Sequence, residues 1–105
     1  MKEISPTELK HWTESGKNFQ LIDVREPYET SIASIGGENI PMAQVATEHE
    51  KINRDIPVVF YCRSGARSAT VIKHLESSCG FTNLYNLKGG ILAYAGEVDP
   101  TLTKY

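Results

Sequence analysis

The chain has 105 residues, of which 40% are hydrophobic and 23% charged, and its formal net charge is −2 at pH 7. These values are typical of one globular domain, here residues 1–105, built around a single hydrophobic core. They argue against a general affinity for nucleic acid, and no stretch has the roughly 20 consecutive apolar residues of a membrane span. The first residues lack the apolar core of a signal peptide, so we expect a cytoplasmic protein.

The start of the chain predicts a short strand followed by a helix. Residues 2–4 favour the strand. Residues 5–8, Ser-Pro-Thr-Glu, are typical of a helix start because they combine an N-cap serine, a proline at the first helical position and a capping-box glutamate. Gly16 is expected to end this helix. Its inner side is expected to carry Leu9, Trp12 and Thr13.

Charged residues follow the next predicted strand, which covers residues 19–24. Asp23 and Arg25 lie near its carboxyl end, which in a parallel sheet is the edge where ligands bind. A functional role is therefore open. We favour a structural role, in which charge-assisted hydrogen bonds of this pair tie loops together near the site.

Residues 27–52 predict a series of short secondary-structure elements and one longer helix. Residues 27–31 favour a short helix, 34–37 a loop that can bend, 38–41 a short strand and 42–52 a helix. The histidines of the chain stand apart, with no pair at the spacing of metal ligands, and there is no Cys-x-x-Cys motif. We therefore expect no metal site.

The apolar run 58–61 and the residues after it carry the most informative pattern. Cys62 follows this run, a short turn containing serine and glycine comes next, and helical spacing begins at residue 69. This order of strand, loop and helix places Cys62 at the carboxyl end of a central strand. There it faces the unpaired N–H groups at the start of the helix.

The residues around Cys62 predict a reactive, anion-binding cysteine. The helix dipole and the guanidinium groups of Arg63 and Arg67 should favour a thiolate, and Gly65 lets consecutive amides converge on the sulfur. The alternative is a packed core cysteine, but the flanking charges favour reactivity. Cys79 lies about one helix length from Cys62, too far for a disulfide, and is expected to be a packing residue.

The remaining sequence completes an alternating pattern of strands and helices. Residues 82–87 predict the last strand, and Gly89-Gly90 leads into a closing helix. Strands that alternate with helices through short links are typical of a parallel α/β sheet with right-handed crossovers. We therefore predict an α/β fold with a small central parallel sheet of five strands and helices on both of its faces.

Taken together, these motifs resemble those of the single-domain rhodaneses, a family of sulfurtransferases, and the resemblance implies the rhodanese fold. It extends over nearly the whole chain and consists of the runs 23–26 with Glu29, 40–41, 62–68, 80–81 and 86–91. The chain departs from the family pattern within residues 33–38, where Ser34 replaces a common histidine. It also departs at Tyr94, which replaces a frequent tryptophan.

The resemblance implies a mechanism in which Cys62 attacks the outer sulfur of a small anionic donor such as thiosulfate. Cys62 would keep this sulfur as a covalent persulfide and pass it to cyanide or to a thiol or protein acceptor, with no further cofactor. Backbone N–H groups of the loop would hold the persulfide charge, and the loop arginines would bind the donor and the departing sulfite. The implied substrate-binding residues are Arg63, Ser64, Gly65, Ala66, Arg67 and Ser68.

Other functions remain open at this point. A persulfide carrier that docks on a partner protein would load sulfur on Cys62 but turn over small molecules slowly, and a non-catalytic interaction module would not need Cys62. Phosphatases and arsenate reductases of this fold have one more residue between cysteine and arginine, which fits a tetrahedral oxyanion. Here only four residues separate Cys62 from Arg67, which favours a single sulfur atom.

Overall fold

The computed structural model describes residues 1–105 and contains one sheet of five parallel strands. The strands are β1 (Lys2–Ile4), β2 (Gln20–Asp23), β3 (Glu38–Asn39), β4 (Val58–Tyr61) and β5 (Leu84–Leu87). The helices are α1 (Pro6–Glu14), α2 (Pro27–Ile32), α3 (Ala66–Cys79) and α4 (Gly90–Glu97). The strand order β1-β5-β4-β2-β3 confirms the predicted α/β sheet and puts β4 at its centre. None of the helices is long and apolar enough to cross a membrane.

Strand β4 is buried on both faces, which explains its continuous apolar sequence. Its side chains alternate between two hydrophobic clusters because successive residues of a strand point to opposite faces. Val58 and Phe60 belong to the cluster that contains side chains of α3. Val59 and Tyr61 belong to the cluster that contains side chains of α1 and α4. Helices therefore cover both faces of the sheet, as predicted.

The predicted start of α1 is confirmed, whereas the prediction that Thr13 lies on its inner side is wrong. Ser5 Oγ accepts a hydrogen bond from the Glu8 N–H at 3.1 Å, and the Glu8 carboxylate accepts one from the Ser5 N–H at 3.3 Å, which forms the capping box. Leu9 is buried and Trp12 half-buried, but Thr13 is exposed. Thr13 lies in the last turn, and its hydroxyl is satisfied by the Leu9 carbonyl at 3.0 Å instead of by the core.

The predicted helix over residues 42–52 is also wrong. The segment forms two separate short 3₁₀ turns, Met42–Gln44 and His49–Lys51. Thr47 donates both its N–H and its hydroxyl to the Gln44 carbonyl, at 3.2 and 3.1 Å. Most backbone bonds of this segment run to the third preceding residue, although the Glu48 N–H also donates to the Gln44 carbonyl at 3.0 Å. The segment therefore closes short 3₁₀ turns and not a continuous α-helix.

Candidate active site

Cys62 directly follows β4 and begins the loop that leads into α3. It is a free cysteine and only 1% exposed. Its Sγ accepts a hydrogen bond from the Gly65 N–H at 3.1 Å and lies 3.4 Å from the hydroxyl of Ser68, which belongs to the first turn of α3. The loop and the start of the helix therefore converge on the sulfur.

Two glycines shape this loop. Gly65 has a φ of 104°, a left-handed conformation that strains residues with a Cβ atom. On the other side of the loop, the Ile91 N–H of α4 donates to the Cys62 carbonyl at 2.9 Å. A Cβ atom on Gly90 would lie 2.4 Å from the Arg63 carbonyl oxygen. The Gly89-Gly90 step, predicted only as the entry to a helix, thus lets α4 support the loop backbone.

The pKa of Cys62 is lowered from the ordinary value of a thiol. Burial of the sulfur raises this pKa because it disfavours the charged thiolate, but hydrogen bonds outweigh burial. These bonds come from the Ser68 hydroxyl and from the backbone N–H groups of Ser68, Gly65 and Ser64. Neutral donors of the loop and of the first helical turn are therefore the main stabilisers of a thiolate. The sequence predicted that the guanidinium groups of Arg63 and Arg67 would share this role.

Arg67, in the first turn of α3, forms a bidentate ion pair with Glu29 of α2. Its two terminal nitrogens lie 2.7 and 2.8 Å from the carboxylate oxygens, and the Glu29 side chain is only 5% exposed. The hydrogen bonds from Arg67 lower the pKa of Glu29 to about 2, although burial acts to raise it. The charge of Arg67 is therefore largely compensated by a residue 38 positions away in sequence.

Arg63 lies at the rim of the loop and is exposed. Its Nε donates to the backbone oxygen of Tyr105, and its guanidinium carbon lies 5.3 Å from the centroid of the Tyr105 ring. It has no Asp or Glu side chain within ion-pair distance. The two arginines therefore differ: Arg67 is paired with an acidic side chain, and Arg63 is not.

Asp23 and Arg25 form a buried ion pair beneath this region. Arg25 Nε and Nη2 donate to the Asp23 carboxylate at 2.9 and 2.7 Å. The same guanidinium donates to the backbone carbonyls of Ala33 at 2.8 Å and Glu29 at 3.3 Å. The pair thus ties the end of β2 to the middle of α2 and to the residue that follows it, and so positions the helix that carries Glu29.

Asn86 was not assigned to the site by the sequence analysis. It is buried near the carboxyl end of β5, opposite Phe60 of β4 in the parallel register. Its Nδ2 donates to the Gly65 carbonyl at 3.1 Å, and its Oδ1 lies 2.5 Å from the Ser68 hydroxyl. The single hydroxyl proton of Ser68 therefore has three acceptors within reach: Asn86 Oδ1, the sulfur, and the Gly65 carbonyl at 3.2 Å. A lone amide within an apolar strand was the signal that could have revealed this residue, because a buried amide needs polar partners.

The other residues singled out in the sequence lie at the surface or in the core. Ser64 is an exposed member of the loop, and Ala66 is the exposed first residue of α3. Cys79 is half-buried and packs against the hydrophobic cluster that contains Cys62, as expected of a packing residue. No group of three or more His, Cys, Asp or Glu side chains is arranged to hold a metal ion.

Two adjoining grooves open beside the loop. The first has a volume of about 380 Å³ and is lined by Val24, Glu26, Met42, Ala43 and Arg67. The second has a volume of about 300 Å³, shares Met42 with the first, and continues along α3 as far as His74. Neither groove is lined by Cys62 or by residues 63–66, so Arg67 is the residue that connects the first groove with the candidate site.

Comparison with known proteins places these features in a family. Residues 5–97 match the family described as rhodanese-like domain. YtwF of Bacillus subtilis, named as a candidate sulfurtransferase, is 39% identical over 101 residues, which cover 95% of this chain and 96% of that protein. MoeZ of Mycobacterium tuberculosis, named as a candidate adenylyltransferase and sulfurtransferase, is 35% identical over 97% of this chain, which spans only 26% of MoeZ. A solved rhodanese-like domain protein from Staphylococcus aureus superposes with a TM-score of 0.82 at 30% identity, covering 93% of this chain and 95% of that one.

Proposed function

Because the chain belongs to the rhodanese-like domain family, we propose that it is a sulfurtransferase in which Cys62 accepts and then donates a sulfane sulfur. The environment of Cys62 Sγ carries this proposal, since the Gly65 N–H and the Ser68 hydroxyl converge on a sulfur whose pKa is lowered. Donors that stabilise a thiolate also suit the persulfide anion, which is one sulfur longer. The similarity to YtwF, over nearly the full length of both chains, supports the same reaction class.

In the first half reaction, the Cys62 thiolate attacks the outer sulfur of thiosulfate. A bond forms between Sγ and that sulfur, the S–S bond of thiosulfate breaks, and its electron pair leaves with sulfite. The product is a persulfide whose terminal sulfur carries the negative charge. Thiosulfate suits the site because Arg63, an exposed cation without an Asp or Glu side chain as its partner, directly follows the cysteine and can bind a sulfur oxyanion.

In the second half reaction, an acceptor attacks the terminal sulfur of the persulfide. With cyanide, a carbon–sulfur bond forms, the persulfide S–S bond breaks, and thiocyanate leaves while the Cys62 thiolate is regenerated. With a thiol acceptor, the thiol loses its proton to solvent and leaves as a persulfide. Sulfur passes between nucleophiles in both steps, so no external oxidant or reductant is consumed.

A persulfide carrier that delivers sulfur to a protein is the second candidate. The match to MoeZ favours it, because the region similar to this chain makes up 26% of a longer protein that is named for two activities. The apolar part of the grooves around Met42 would then receive a segment of the acceptor. The chemistry at Cys62 is the same in both candidates, and they differ in the acceptor.

Thiocyanate formation from thiosulfate and cyanide tests the proposal, with Cys62→Ser and Cys79→Ser as a matched pair. We expect turnover in the wild type and in Cys79→Ser, and none in Cys62→Ser. Mass spectrometry after incubation with thiosulfate alone should show a gain of one sulfur atom that only Cys62→Ser lacks. Sulfur loading with little turnover would favour the carrier. A folded wild type that neither loads sulfur nor forms thiocyanate would refute both candidates.

A further inference from the structure

Tyr105 connects the two flanks of the Cys62 loop. Its hydroxyl donates to Glu29 Oε2 at 2.7 Å and accepts a hydrogen bond from Arg25 Nη1 at 2.9 Å. Its backbone carbonyl accepts from Arg63 Nε, and its ring centroid lies 5.3 Å from the guanidinium carbon of Arg63. One residue thus holds the arginine that follows the cysteine and also the acidic partner of the second loop arginine.

The two arginines near the sulfur differ in their acidic partners. Arg67 is paired with Glu29, whereas Arg63 has no Asp or Glu side chain within ion-pair distance. The contact with the Tyr105 carbonyl occupies only Nε of Arg63. Both terminal amino groups of this arginine therefore remain available to an incoming anion, in the fork geometry that suits oxyanions.

We propose that Tyr105 is a positioning residue whose ring and carbonyl fix Arg63 at the rim, so that its amino groups are ready to bind the anionic end of the sulfur donor. A long exposed side chain loses conformational entropy when it binds a ligand, and a side chain that is already held loses less. The inference rests on the proposed function for the identity of the donor. Tyr105 itself does not touch the reacting sulfur.

Loss of the ring should weaken donor binding and leave the chemical step unchanged. We expect Tyr105→Ala to raise the KM for thiosulfate about three- to tenfold, the range for ordering one long side chain. The kcat should stay within about twofold, because the donors around the sulfur are unchanged. This split between KM and kcat separates positioning from a general loss of structure, which would reduce the fraction of active enzyme and therefore kcat.

Matched variants separate the parts of Tyr105. Tyr105→Phe keeps the ring and the backbone oxygen but loses the hydrogen bonds to Glu29 and Arg25, so its KM should lie between those of the wild type and Tyr105→Ala. Tyr94→Ala removes another half-buried ring from the same hydrophobic cluster without contacting Arg63, and it should also keep the wild-type KM. Tyr105→Leu retains apolar packing but lacks the π face, so it provides a second test of the ring if Tyr105→Ala folds poorly.

A second readout does not depend on sulfur transfer. In a Cys79→Ser background, the rate of Cys62 alkylation by anionic iodoacetate, divided by the rate with neutral iodoacetamide, reports the positive potential at the rim. Tyr105→Ala should lower this ratio about threefold. It should have no further effect when combined with Arg63→Ala, because both changes act through the same guanidinium.

Three outcomes would overturn the role of Tyr105. They are a wild-type KM and alkylation ratio in Tyr105→Ala, a fully additive loss in the double variant, and a decrease in KM, which would mean that Tyr105 obstructs the loop. A wild type that fails to turn over thiosulfate, with the alkylation ratios as expected, would remove the proposed donor and support the positioning role. The failures of the two proposals are therefore distinguishable.

Discussion

Glu29→Gln removes the negative charge from the ion pair with Arg67 while it keeps the size of the side chain. The pKa of Glu29 is about 2, against an ordinary value of 4.5, chiefly because Arg67 donates two hydrogen bonds to the carboxylate. A difference of this size corresponds to about 3 kcal/mol of folding free energy at neutral pH. The Arg67 side chain is 35% exposed, so solvent screens the pair. We therefore expect a loss of about 2 kcal/mol in Glu29→Gln.

The dependence on pH gives a second signature of the same pair. The pKa of Glu29 in the folded protein lies below its value in the unfolded chain. Its stabilisation is therefore complete above about pH 4.5 and is lost as the pH falls toward about 2. The wild type should thus lose stability with acid more steeply than Glu29→Gln, in which residue 29 no longer titrates.

Urea unfolding at neutral pH and at several acidic pH values measures both quantities. Glu48→Gln is the matched control, because the Glu48–Lys51 pair lies at the surface with 51% of the lysine side chain exposed. Such a pair contributes little, so this variant should unfold like the wild type. Equal stability of Glu29→Gln and the wild type at neutral pH, or an equally steep acid dependence of both, would refute the reasoning.

Two further predictions concern the loop itself. Ser68→Ala removes a donor from the Cys62 thiolate, so the pKa should rise in an ultraviolet titration of the thiolate, whereas Ser77→Ala, at the exposed end of α3, should leave it unchanged. Gly90→Ala places a Cβ atom 2.4 Å from a backbone oxygen of the loop, whereas Gly36→Ala, also at positive φ, meets nothing within 4 Å. We expect thermal unfolding to show a loss of about 1–2 kcal/mol for Gly36→Ala and a larger loss for Gly90→Ala. Only Gly90→Ala should reduce thiocyanate formation, and equal losses in the two variants would contradict the close packing of α4 on the loop.

The fold was predictable because its main determinants are local and repetitive. The apolar run of β4 and the capping box of Ser5 and Glu8 each depend on neighbouring residues, and both are found where the sequence placed them. The helix predicted over residues 42–52 is wrong because composition alone does not distinguish an α-helix from short 3₁₀ turns. Most backbone bonds in this segment run to the third preceding residue.

Only the part of the site formed by residues close together in sequence was predictable. Cys62, Gly65 and Ser68 lie within seven consecutive residues, so a strand, a glycine turn and a helix start are enough to bring them together. The contacts of Glu29 with Arg67 and Tyr105 span 38 and 76 residues. Which charged side chains meet over such distances depends on how the loops close, and spacing in the sequence does not determine it.

The difference between the two loop arginines follows from where charge can be accommodated. The sulfur of Cys62 lies in a residue that is only 1% exposed, where an unpaired guanidinium would carry a large desolvation penalty. Backbone N–H groups and a hydroxyl avoid this penalty, because they stabilise an anion without adding net charge when the thiol is neutral. Arg67 is half-buried and is paired with Glu29, whereas Arg63 lies at the exposed rim, where its charge remains hydrated. Holding a sulfur anion and attracting an anionic donor are therefore tasks for different groups in this loop: neutral donors suit the first and Arg63 suits the second.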